Sequence, residues 1–95
     1  MKKNYIEITC KDDANVDVTH VKIPEGTKNI KDFAFKGCKN LETVIIPDSV
    51  TSIGTGAFEG CKCLKTIIIP DSVTFIGAGA FSYCLSIKYI VIPIL

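Results

Sequence analysis

The sequence lacks an excess of charge of either sign. Its 11 Lys and Arg stand against 10 Asp and Glu, a formal charge of +1 over 95 residues. A nucleic-acid partner usually requires a basic patch or stripe, and this balance removes that argument. No apolar run approaches the roughly 20 residues that a membrane-spanning helix needs, so no membrane partner is expected. An export signal is also missing. Lys2 and Lys3 imitate a positive leader region, but Tyr5-Ile6-Glu7-Ile8-Thr9-Cys10 is too short and carries a glutamate. Asn4, Asn15, Asn29 and Asn40 all lie outside an Asn-x-Ser/Thr sequon. These absences set the expectation of a cytoplasmic chain with mostly reduced thiols. If the sequence is a fragment, the cell surface is the alternative. What remains is 47% hydrophobic, too apolar for a disordered tail.

What is present is a repeat. Proline occurs only at Pro24, Pro47, Pro70 and Pro93, 23 residues apart each time. Ile23, Ile46, Ile69 and Ile92 precede the prolines. Ala34-Phe35, Ala57-Phe58 and Ala80-Phe81 keep the same spacing, as do Cys38, Cys61 and Cys84. A unit this short has no core of its own and must stack on its neighbours, which makes the chain a solenoid. Within a unit, Leu41-x-x-Val44-x-Ile46 has leucine-rich-repeat spacing, and its end alternates as a strand does. Pro47 ends the strand because it cannot donate to a ladder. Asp48-Ser49 turns the chain. Val50-Thr51-Ser52-Ile53 reads as a second short extended piece. A helical turn is predicted at Ala57-Phe58-Glu59-Gly60, after Gly54 and Gly56.

Ile46-Pro47-Asp48-Ser49-Val50-Thr51-Ser52-Ile53-Gly54, followed by Gly56-Ala57-Phe58, Gly60-Cys61 and Leu64, resembles the BspA-like subclass of leucine-rich repeats. Ile69 to Gly77 repeats the pattern. The first unit departs from it: Pro24-Glu25-Gly26-Thr27 replaces Pro-Asp-Ser-Val, and Phe33 replaces a glycine. The expected fold is a leucine-rich-repeat solenoid of α/β type: a mainly parallel sheet, with short second strands and helical turns on the other side. The resemblance implies protein–protein contact. It also offers an alternative, a fragment or relative of a cell-surface adhesin binding host or matrix proteins.

Residues 1–17 fall outside the register and read as an N-terminal cap, a β-hairpin that uses Val16 to Val18. Residues 18–95 hold about three repeat units and end in an uncapped fourth strand. Charge follows the same asymmetry: residues 1–42 carry 8 Lys and 7 Asp or Glu, or 15 of the 21 charges.

No catalytic set, cofactor or metal site is expected. Cys38, Cys61 and Cys84 share one repeat position, which suits small buried side chains better than a metal ladder. Cys61-Lys62-Cys63 has no matching second pair, and Cys63 is expected at the surface. His20 lies on the outward face of the first strand beside Lys22 and Thr43, which make no triad. Asp48 and Asp71 are turn residues. Lys28, Lys31, Lys36 and Lys39 are interleaved with acids, as on a solvated face.

Two surfaces stand out. The outward strand positions Thr43, Ile45, Thr66, Ile68, Tyr89 and Val91 form a partner-binding sheet face, since contiguous exposed apolar rows mark interfaces. The last strand has no following turn and leaves an open edge together with the end of the core, expected to include Phe75, Phe81 and Ile87. A two-fold axis would pair two such edges antiparallel. A tail-to-tail homodimer is therefore expected through Ile87, Tyr89, Ile90, Val91, Ile92, Pro93, Ile94 and Leu95. The expected function is a non-enzymatic protein-interaction module with itself and an unidentified protein as partners.

Overall fold

A computed structural model describes residues 18–91. The expected cap at 1–17 and the terminal Ile92 to Leu95 lie outside the described residues. Seven short strands follow in order: β1 (His20–Lys22), β2 (Asn29–Ile30), β3 (Thr43–Ile45), β4 (Ser52–Ile53), β5 (Thr66–Ile68), β6 (Phe75–Ile76) and β7 (Tyr89–Val91). Odd strands form one sheet in the order β1-β3-β5-β7, and even strands form a second in the order β2-β4-β6. Every pairing is parallel. The register follows the sequence period: His20 faces Thr43, Thr43 faces Thr66, and Thr66 faces Tyr89. Each turn of the solenoid thus lies on the one before it.

The alternation within strands decides which side chains enter the core. Val21, Val44 and Ile67 point inward from the first sheet, and Ile30 and Ile53 from the second. Phe35 and Phe58, with Leu41 and Leu64, fill the space between and are fully buried. Each such side chain contributes about 1.5–3 kcal/mol by leaving water. The phenylalanines form a ladder. The rings of Phe35 and Phe58 stack at 5.2 Å between centroids, and those of Phe58 and Phe81 at 5.5 Å.

Prolines close the strands as expected. The Val50 N–H donates to the Pro47 carbonyl at 3.2 Å, a tight turn carrying Asp48 and Ser49, and Val73 does the same to Pro70 at 3.1 Å. Ser49 ties this turn to the previous one: its hydroxyl donates to the Thr27 carbonyl at 2.8 Å and accepts from the Gly26 N–H at 3.0 Å.

The predicted helical turn is corrected. Residues 54–61 form successive tight turns, with Ala57 N–H to Gly54 and Cys61 N–H to Phe58, and no helix is present among the described residues. The reason is the stacking. Gly56, Phe58 and Gly60 send their N–H groups forward to the carbonyls of Ala78, Ala80 and Ser82, at 3.0, 2.8 and 2.8 Å. Phe33, Phe35 and Gly37 do the same to Thr55, Ala57 and Glu59. Amides committed to the next turn cannot close a helix.

Close stacking also explains the glycines. A Cβ on Gly77 would lie 2.4 Å from the backbone nitrogen of Thr55. Gly56, at φ 59°, faces the ring of Phe33, which lies 2.5 Å from where a Cβ would stand. Phe33 itself takes φ 59°, the left-handed conformation that glycine holds one unit later. Tyr83, at φ 60°, stands likewise in the register position of Gly60. Non-glycine residues adopt this region at a cost.

Candidate functional site

The outer face of the first sheet is built by strand alternation. In β3 and β5 the central residue points inward, so its neighbours must point out. Ile45 is 60% exposed, Ile68 63% and Val91 47%. Parallel register sets these side chains on successive strands, about 4.8 Å apart. Val91 faces Ile68, and at the other end Lys22 faces Ile45, so the apolar row begins at β3. Thr43 and Thr66 make the adjacent row. His20 closes it at β1, with Nδ1 2.6 Å from the Thr43 hydroxyl. A shallow groove of about 590 Å³ runs along the apolar row and is bordered by Asp48 and Asp71. The six expected face positions therefore fall on one sheet. Tyr89 is placed by its backbone pairing with Thr66.

Among the described residues, β7 is the last strand of its sheet, and the final unit is less covered than the earlier ones. Ile76 is 38% exposed, whereas its register mates Ile30 and Ile53 are buried. Phe81, Ile87 and Ile90 are half-buried at positions that are buried one turn earlier. Of the expected dimer residues, Ile87, Tyr89, Ile90 and Val91 are among those described. Ile92, Pro93, Ile94 and Leu95 are not.

Phe75 is corrected. It pairs in register with Ser52, on the outward face of the second sheet, and does not belong to the end of the core. Ile76 is the residue that does. Sequence reasoning missed a further feature: Tyr83 and Leu85 are exposed and line a groove with Lys36 and Lys62. The signal was present, because the previous unit has Gly60 and Lys62 at those positions.

Among the cysteines, Cys38 is disulfide-bonded, against the expectation of a reduced thiol there, while Cys61, Cys63 and Cys84 are free. A half-cystine is as apolar as a thiol, so this buried position accommodates either. The Cys61 thiol donates to the Phe35 carbonyl at 3.2 Å, and Cys84 to Phe58 at 3.1 Å. Burial pushes the Cys61 thiol up to about 12; the neighbouring Cys84 adds to the rise and a backbone hydrogen bond at Cys38 opposes it. Burial likewise raises Cys84. Both are inert packing groups, not nucleophiles. Cys63 is half-buried, less open than its position predicts.

Known proteins place this architecture. A leucine rich cell surface protein of Faecalibacterium prausnitzii A2-165 is 45% identical, with a TM-score of 0.74, over 77% of this chain and 19% of its own. A leucine-rich repeat protein of Bacteroides ovatus is 38% identical, with a TM-score of 0.58, over 80% and 26%. A leucine rich repeat protein of T. pallidum is 25% identical, with a TM-score of 0.60, over 93% and 52%. The chain thus spans from about a fifth to about half the length of these proteins. No curated protein matches it. The family profile described as BspA type Leucine rich repeat region (6 copies) matches residues 4–94. With the 23-residue period, the parallel stacked turns and the phenylalanine ladder, this match means that the chain belongs to the BspA-type leucine-rich-repeat family.

Proposed function

We propose that the chain is a non-enzymatic protein-interaction module. Its outer sheet face (Thr43, Ile45, Thr66, Ile68, Tyr89 and Val91) receives a protein partner. The observation that carries this reading is the exposed row of Ile45, Ile68 and Val91, aligned by strand register. Water-exposed β-branched residues in a continuous row gain free energy only when something covers them. The test replaces Ile45, Ile68 and Tyr89 by alanine. Partner capture from an extract of the producing cells is expected to fall in the variant. Capture at an unchanged level sinks this surface.

The terminal strand supplies a second contact, in which two copies pair tail to tail at β7. Support comes from the edge position of β7 and the exposure of Ile76. Light scattering across a dilution series is expected to give about twice 10.3 kDa. Lysine at Ile90 or Val91 then yields monomer or aggregate, and an unchanged dimer in both variants removes the model.

The family is a repeat platform, which leaves the setting open. A cell-surface setting is favoured over the cytoplasm by the neighbour named as a cell surface protein. Protease treatment of intact producing cells decides it: loss of the chain places it outside, and full protection places it inside.

A further inference from the structure

The groove on the sheet face is not neutral. Asp48 and Asp71 are the only charged side chains that line it among the described residues. Both are exposed, and Glu25 stands one unit earlier at the same register position. The stacking therefore puts acids on consecutive turns, about 4.8 Å apart.

Among the described residues, no side-chain contact ties these acids to the fold. Turn residues of this type commonly accept a backbone hydrogen bond. Here the turns close through the Pro47 and Pro70 carbonyls, and Ser49 makes the tie to the previous turn. Among the described residues, the carboxylates of Glu25, Asp48 and Asp71 take part in no hydrogen bond or ion pair, whereas Glu42 and Glu59 are paired with Lys65 and Lys36. Like charges on neighbouring turns repel. A cation brought by a partner relieves that repulsion, and the apolar row lies directly beside it.

We infer that the sheet-face groove takes a protein segment with apolar side chains on Ile45, Ile68 and Val91 and a row of lysines or arginines along Asp48 and Asp71. This rests on the reading of the sheet face as a partner surface and adds the chemistry of the partner. The orientation follows too. Lys22, in line with Ile45, bars cations from the β1 end of the row. The basic side of the partner therefore lies over the turns after β3 and β5. Exposed charges act within a screening length of about 8 Å at physiological salt, so the contact weakens as salt rises.

The test uses the whole chain and two synthetic peptides, one of alternating valine and arginine and one of alternating valine and glutamate. Amide chemical shifts map their binding. The arginine peptide is expected to shift Ile45, Ile68 and Val91 and to lose affinity with salt; the glutamate peptide is expected to bind at least several-fold more weakly. The double variant Asp48→Asn, Asp71→Asn is expected to weaken the arginine peptide roughly three- to ten-fold, as two exposed charge pairs imply. Glu59→Gln, away from the groove, is expected to leave it unchanged. Equal binding of the two peptides on this face, or no effect of the double variant, overturns the acidic-row inference and leaves the face itself standing. No shift on the face from either peptide removes both.

Discussion

Substitutions of Gly77 and Gly60 by alanine separate two costs that glycine usually hides together. At Gly77 the added methyl carbon meets the Thr55 nitrogen at 2.4 Å, with two further backbone atoms at 2.7 Å. Backbone cannot swing aside as a side chain can, so the turns must part. Gly60 is the converse: its φ is +76°, and a methyl group there meets nothing closer than 3.7 Å. Overpacking against backbone costs about 3 kcal/mol, the upper part of the usual range. A left-handed alanine costs about 1–2 kcal/mol, offset by up to about 1 kcal/mol as the unfolded chain loses freedom. Gly77→Ala is therefore expected to lower stability by about 3 kcal/mol, and Gly60→Ala by about 1 kcal/mol. In thermal unfolding these are drops of about 12–24 °C and about 4–8 °C for a domain of this size. Urea unfolding supplies the free energies directly. If Gly77→Ala costs no more than Gly60→Ala, close stacking of the turns is not what requires glycine at 77.

Other predictions concern the ladder, the left-handed tyrosine and the buried thiol. Phe58→Leu breaks two ring stacks and Phe81→Leu one, so the first is expected to cost about 1–3 kcal/mol and the second about half that, by urea unfolding. Equal costs would mean that the ladder is only a row of apolar volumes. Tyr83→Gly is expected to raise stability by about 0.5–1 kcal/mol, the left-handed strain less the entropy of glycine; a loss would show that the exposed ring holds a contact worth more than the strain. The Cys61 thiol is raised in the folded state from 9.0 to about 12, so its contribution is complete below pH 9.0 and declines as pH climbs toward 12. The unfolded chain deprotonates first, giving a slope of about −1.4 kcal/mol per pH unit in that window. Cys61→Ala is expected to flatten the slope, and an unchanged slope in the variant assigns it to other groups. In native protein near neutral pH, iodoacetamide is expected to reach Cys63 before Cys61 and Cys84; the reverse order would contradict their burial.

Much of this was legible because a solenoid converts period into contact. Proline at every 23rd residue already fixes the register of Thr43 on Thr66 and the exposed row of Ile45, Ile68 and Val91. Ends and exceptions were harder to read. Whether Phe75 or Ile76 belongs to the core depends on a two-residue strand, where a shift of one position exchanges the faces. The turn at Ala57-Phe58 looked helical because local spacing does not reveal that Phe58 sends its N–H to Ala80. Phe33 and Tyr83 were visible as substitutions of glycine, but their left-handed backbone was not, since stacking imposes it from the neighbouring turns. The disulfide at Cys38 left no mark in the repeat, where Cys61 and Cys84 hold the same position as free thiols.

The forward-pointing amides give the solenoid a sense of direction, like a zip whose teeth all lean one way. From Phe33 to Gly37 and from Gly56 to Gly60, every backbone bond between units joins a donor of one unit to an acceptor of the next, and reversing a unit would set N–H against N–H there. At the last described turn the N–H groups of Gly79, Phe81 and Tyr83 find no acceptor among the described residues. Two copies meeting tail to tail would bring two such rows face to face. In the tail-to-tail pair proposed above, the two-fold contact would therefore run along β7, where a strand edge offers donors and acceptors alike. An end-to-end pair would be hinged on that strand and gape on the opposite side.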